Sequence, residues 1–284
     1  MNKHNTGSFF AIFSIVIFIA ILQADVVQSA TLSPVISCSK EEWLVAEPFV
    51  IQLSFTNNSG TNQIIDTFFG NGSSRTSYWV SRDGERFYSI NAILSVDPGG
   101  QTTCLAPSES CYHDEILSYD SHADSPLLST LGDYFLRVDY RGQKSNVIKI
   151  HVREAEAATD KKWVNAMKSR DVAIALMVPT WKTDEASKTL NDCVKEVSVY
   201  SHYAAFSLAA IEPNKTNALM LLDKSDVAGF PLRHKVVLEK GRINLELGEK
   251  AKANELFQRI ANDFPNSAAA SEVKRKNLLE SSKP

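Results

Sequence analysis

The stretch NVIKIHVREAEAATDKK (Asn146–Lys162) changes its hydrophobic period half-way along. Ile148, Ile150 and Val152 alternate with Lys149 and His151, the period-2 pattern of a strand with one buried face. Small and charged residues follow in EAEAATDKK, and beyond them apolar residues recur every three or four positions, as on one face of a helix. Upstream, YFLRVDY (Tyr134–Tyr140) and RGQKS complete a closing hairpin with this strand, and FVIQLSF (Phe49–Phe55) alternates cleanly until NNSGTN ends it. YWVSR and ERFYSI flank Asp83-Gly84, expected as a two-residue hairpin turn. With turn residues at regular intervals, about seven such strands make a β-sandwich. Residues 31–153 are therefore expected as an all-β domain, 154–160 as a linker and 161–284 as an all-α domain.

Downstream, helices are expected at 161–177, 184–198, 201–211, 216–224, 232–247, 249–263 and 267–281. Thr183 and Ser201 read as N-caps, Pro179 and Pro213 as breakers, Gly248 as a turn between helices and Pro265 as a terminator. Pro231 and Pro265 lie 34 residues apart, as do Ser207 and Gly241, and Asn214 and Gly248. That is the period of tetratricopeptide repeats. The unit LEKGRINLELGEKAKANELFQRIANDFPNS (Leu238–Ser267) resembles one: Gly241 matches the small residue between the helices, Gly248 the turn, Ala253 the small contact, Phe257 the core aromatic and Pro265 the terminator. Asn244 and Val237 stand where that family usually has Tyr and Trp.

The upstream half resembles immunoglobulin-like sandwiches of bacterial exported proteins, through AEPFVIQLSFTNNSG (Ala46–Gly60), LAPSES (Leu105–Ser110), LGDYFLRVDYRG (Leu131–Gly142) and SNVIKIHV (Ser145–Val152). Ala46 and Ser108 replace usual glycines of that pattern, and Leu131 a usual proline. Together the two resemblances imply an exported bacterial envelope protein, and an immunoglobulin-like fold hosts many functions.

The amino-terminal run FFAIFSIVIFIAIL (Phe9–Leu22), preceded by Lys3 and followed by small residues at Ala24, Ser29 and Ala30, has the layout of a secretory signal peptide, expected over residues 1–30. It falls short of the roughly 20 residues that span a bilayer, so no stable membrane insertion is expected. A periplasmic or secreted location follows. Residues 1–154 hold 10 Lys and Arg against 16 Asp and Glu, the remainder 20 against 17. Neither balance makes a nucleic-acid surface, and no nucleic-acid partner is expected.

In an oxidising compartment Cys104 and Cys111, flanking the LAPSES turn, are expected to form a disulfide, because two runs meeting at a turn bring Cα atoms within about 7 Å. Cys38 and Cys193 are expected as free thiols. His113, Asp114, Glu115, Asp120, His122 and Asp124 supply metal-ligand chemistry without ligand spacing, and on a strand His113 and Glu115 would face away from Asp114. No nucleophile triad, phosphate loop or zinc-protease motif is present, and neither a catalytic residue nor a cofactor or metal is expected. Tyr200, Tyr203 and Phe206 form an aromatic stripe at helical spacing, a core stripe or a peptide-binding face, and Trp181 follows Pro179 in a turn. The expected function is non-catalytic binding of a protein or peptide through these residues. The alternatives are a protease inhibitor acting through loops 69–77 or 120–128, and a metal-dependent enzyme built on His113 to Asp124.

Overall fold

The computed structural model describes residues 32–66, 75–90, 102–181 and 183–282. The expected signal peptide and residues 69–74 of the first loop lie outside the described residues. The chain has a sheet-rich amino-terminal part and a helical carboxy-terminal part. The strands are β1 (Pro34–Ser37), β2 (Glu42–Leu44), β3 (Phe49–Thr56), β4 (Gln63–Asp66), β5 (Thr76–Ser81), β6 (Tyr88–Ser89), β7 (Thr102–Leu105), β8 (Ser110–Leu117), β9 (Tyr119–Asp120), β10 (Ser125–Pro126), β11 (Gly132–Tyr140), β12 (Gln143–Lys144) and β13 (Ile148–Arg153).

Two larger sheets carry this part. One runs β1-β3-β8; the other runs β2-β13-β11-β5-β6, with β12 on β11. The closing hairpin forms in the expected place, with Gly132 opposite Val152 and Leu136 opposite Ile148. Phe49, Ile51, Leu53 and Phe55 of β3 are buried, as are Tyr134, Leu136, Val138 and Tyr140 of β11. The edge of the Phe55 ring meets the Tyr140 ring at 4.7 Å between centroids, joining the two sheets. The turn between β5 and β6 is longer than the expected two residues, since Trp79 pairs with Ser89. Asp83 holds that loop by accepting N–H bonds from Glu85 and Arg86, while Gly84 takes φ +79°.

The helices are α1 (Ala158–Met167), α2 (Arg170–Met177), α3 (Asp184–Cys193), α4 (Val199–Ala209), α5 (Lys215–Ser225), α6 (Arg233–Glu246), α7 (Lys250–Asp263), α8 (Ala268–Arg275) and α9 (Leu278–Ser281). The expected helix 161–177 is two helices, because the chain turns to an extended conformation at Ser169 and restarts. Thr183 caps α3 as expected, through the Ala186 N–H. For α4 the cap is Ser198 rather than Ser201; the two serines exchange side-chain and backbone bonds in a capping box, and the helix starts at Val199. The segment 154–160 is no free spacer. It buries Ala155 and Asp160, α1 begins within it, and Asp160 accepts the Val199 N–H at 2.8 Å.

Alternate helices reach the sheets. Ser118, just after β8, donates to the Ala173 carbonyl of α2 at 2.5 Å, and Tyr200 of α4 donates to the Val45 carbonyl at 2.7 Å. His234 of α6 meets Asp114 of β8 at 2.8 Å, and Lys274 of α8 meets Glu109 at 2.8 Å. One apolar core runs from Trp43 and Phe49 through Tyr200 and Tyr203 to Phe230 and Leu232. The two parts are thus packed on each other along a seam. Among the described residues no helix is long and apolar enough to cross a membrane.

Candidate functional site

The aromatic stripe lies in that seam. Tyr200 is 0 % and Tyr203 3 % exposed, and the Tyr203 hydroxyl donates to Glu47 at 2.9 Å. Glu47, itself buried, also pairs with Lys40 at 2.5 Å and accepts the Leu44 N–H. Burial raises the ionisation of both tyrosines well above its ordinary range, with the Glu47 carboxylate adding to it. These tyrosines are therefore not a free partner-binding face: their rings fill the core and their hydroxyls close two buried acceptors of the sheet part. Phe206 is half-buried against Phe230 at 6.3 Å and lines a groove of about 320 Å³ with Ala218, Leu222 and Ile243. Trp181 packs on Tyr119, Ala173 and Ile174 and is half-buried there, so its ring belongs to the α2 contact.

The other candidates fall apart in space. Register along β3 and β8 puts Cys111, His113 and Glu115 opposite Phe55, Leu53 and Ile51, whereas Asp114 lies opposite Gln52 and faces α6. His113 pairs with Glu115 at 3.2 Å, Asp120 is buried in β9, and Asp124 accepts from Tyr119. Among the described residues no group of three such side chains is placed to hold a metal ion. In the loop 120–128, Leu127 and Leu128 are buried and β9 pairs with β10, which leaves 121–124 at the surface.

The expected disulfide is absent: Cys104 and Cys111 are free thiols, like Cys38 and Cys193. The LAPSES turn does not join two paired strands. It sends β7 to pair with β4 and β8 to pair with β3, so the flanking cysteines diverge into different sheets. Ser108 takes φ +64° in this turn and its N–H bonds the Asn57 carbonyl. Burial pushes the Cys111 thiol up to about 11, away from a reactive thiolate.

Spacing alone does not reveal the crevice at the seam, although its two main dipeptides are 34 residues apart. Phe230-Pro231 precedes α6 and Phe264-Pro265 precedes α8, and both line a cavity of about 400 Å³. Its opposite wall is Ser37, Val50 and Gln52 of the β1-β3 sheet, with Cys38 just beyond the end of β1. Asp114 and His234, both buried, form its floor. Burial pushes the Asp114 carboxyl up, but the bond from His234 and the charges of His234 and Lys235 outweigh it and hold it below the usual carboxylate range. Lys235 also donates to the Asp114 carbonyl at 3.0 Å. Cys38 is in the wall, yet its thiol donates to the Lys40 carbonyl at 3.1 Å and burial raises it, so the wall presents no activated nucleophile.

No family model and no curated protein sequence matches this chain. Among solved structures, a β-glucosidase from Listeria innocua in complex with isofagomine aligns at 10 % identity and TM-score 0.26, over 43 % of this chain and 16 % of that one. The alkylpurine DNA glycosylase AlkC of Pseudomonas fluorescens aligns at 7 % and 0.27, over 44 % and 31 %. The CARDB domain of PF1109 from Pyrococcus furiosus aligns at 12 % and 0.23, over 43 % and 94 %. The chain spans less than a third of the length of the first two. Likeness at this level carries no argument about activity.

Proposed function

We propose that the chain is a non-catalytic binding protein in which tetratricopeptide-like helical pairs are docked on an immunoglobulin-like sandwich, and that the crevice at their seam takes an extended segment of a protein or peptide partner. One observation carries the reading: two Phe-Pro dipeptides, one repeat period apart in sequence, converge with the β1-β3 sheet on a single open crevice. Extended peptides are recognised by that combination of strand and apolar pocket. The repeat-like reading draws support from Gly241, where any Cβ would come within 2.4 Å of the Phe257 ring, and from Gly248 at φ +80° between α6 and α7. Ala253 and Phe257 are fully buried at the same contact. The apolar run Phe9–Leu22 supports export to the bacterial envelope as the place of action.

The test is selection of random heptapeptides on the immobilised full chain, counter-screened on Phe264→Ala. Enriched peptides are expected to bind the variant at least about tenfold more weakly, as for loss of a central anchor. Equal binding to both forms would place the partner elsewhere.

A further inference from the structure

The crevice has a definite chemistry. Asn146 shows how its strand edge is read: the Asn146 carboxamide accepts the Ile36 N–H at 2.8 Å and donates to the Ile36 carbonyl at 3.0 Å, as a neighbouring strand would. Antiparallel alternation turns the backbone groups of every second residue away from the partner strand. Cys38, the residue directly after β1, is in the crevice wall, and its backbone N–H and C=O meet no hydrogen-bond partner among the described residues. One backbone donor and one acceptor are open beside the end of the strand.

Besides the Asp114–His234 pair, the charged side chain of the lining is Asp263, and the lining holds neither Lys nor Arg. Asp114 is closed by His234 and Lys235. Asp263 is not closed: its side chain is 56 % exposed, and its ion pair with Arg259 spans 3.6 Å. Arg259 is already committed to Asp226 through two bonds of 3.0 Å. Asp263 is also the last residue of the 14-residue helix α7, where unpaired carbonyls add partial negative charge. The half-buried Phe264 ring follows directly, with Pro265 beside it. Carboxylate, helix carboxy-terminus and ring face together favour a cation with an apolar stem.

We infer that the crevice selects the basic side chain, Arg or Lys, of an extended peptide, whose backbone bonds the open N–H and C=O of Cys38 while its charged head meets Asp263 at the end of α7. This inference rests on the peptide-binding reading above.

Fluorescence anisotropy on the full chain tests both separately, with labelled Gly-Ser-Val-Xaa-Val-Ser-Gly peptides carrying Arg, Leu or Glu at Xaa. The Arg peptide is expected to bind about tenfold more tightly than the Glu peptide, and raising salt from about 0.05 M to about 0.5 M should weaken the Arg peptide alone. Asp263→Asn, a change at an exposed position, should weaken the Arg peptide about fivefold and leave the Leu peptide unchanged. Equal affinity for the three peptides, or an Arg peptide indifferent to Asp263→Asn, overturns the basic preference. Leu-peptide binding that falls with Phe264→Ala would then leave the peptide site standing, whereas binding by none of the three removes both.

Discussion

At one end of the seam Tyr200 and Tyr203 of α4 are sealed from water and hydrogen-bonded to Val45 and Glu47; at the other, Lys274 of α8 reaches Glu109 with its own side chain 76 % exposed. Both contacts join the helical part to the sheet part. They differ in how much apolar surface stands behind each polar bond. At the α4 end the hydroxyls finish a continuous core that includes Trp43, Phe49 and Phe230. At the α8 end the ion pair borders a cavity of about 430 Å³ lined by Cys104, Cys111, Lys235 and Arg275. Docking is therefore set from α4, and the outer helices leave openings against the same sheet. The seam crevice between α6 and the turn from α7 to α8 is one of them.

The largest loss is expected at Tyr203. Tyr203→Ala removes a buried ring and leaves Glu47 without one of its donors, so it should cost about 4 kcal/mol in urea unfolding. Because one core spans both parts, the native chain should unfold in a single transition by fluorescence and circular dichroism. A loss below about 1 kcal/mol, or two separated transitions, would show that α4 is not the anchor. Gly241→Ala sharpens the same contrast inside the helical part. Its Cβ would lie 2.4 Å from Cε1 of a Phe257 ring that is itself fully buried, so overpacking should cost about 2 kcal/mol. An unchanged midpoint would mean that the α6–α7 contact yields freely, against a repeat-like pair.

Acid should act at the middle of the seam. Asp114 has its carboxyl held low in the folded state, and so has Asp226, where bonds from Arg259, Arg233 and Lys240 outweigh a burial that pushes upward. A depressed carboxyl contributes stability that is present above its unfolded value, about 3.9, and lost as pH falls through the folded one. Stability should therefore be flat near neutrality with respect to these groups and fall below about pH 4. Asp114→Asn should flatten part of that acid slope. A slope identical to the native one would exclude the Asp114–His234 pair as a contributor.

Layout was legible where the chemistry is local. Alternation in Ile148–Val152, the Thr183 cap and Gly248 at φ +80° are each decided by a few neighbouring residues, and each is found where the sequence places it. Partnering was not legible, because it depends on what a face meets. Tyr200, Tyr203 and Phe206 have the same spacing whether they pack on a sheet or wait for a peptide; only Val45 and Glu47, more than 150 positions away, decide it. Cys104 and Cys111 look like the ends of a hairpin until β7 and β8 choose different strands. Pro231 and Pro265 carry the repeat period, but the period does not point to the crevice, because its other wall comes from the far upstream strands β1 and β3. Asp263 reads in sequence as the i,i+4 partner of Arg259, and only the two bonds from Arg259 to Asp226 show that this arginine is shared.

The smallest expected effect closes the comparison at its open end. The Lys274–Glu109 pair is mostly solvated, with side-chain exposures of 76 % and 31 %, and an ion pair in that setting is screened and costs side-chain entropy to hold. Lys274→Ala should therefore lower stability by no more than about 0.5 kcal/mol. Its signature is electrostatic instead. The Lys274 bond, then the Ala106 N–H, hold the Glu109 carboxyl below its usual range, and without the lysine it should move back towards that range in an NMR titration. If Lys274→Ala instead unfolded the chain as readily as Tyr203→Ala, both ends of the seam would be equally integral, and docking would not be set from α4.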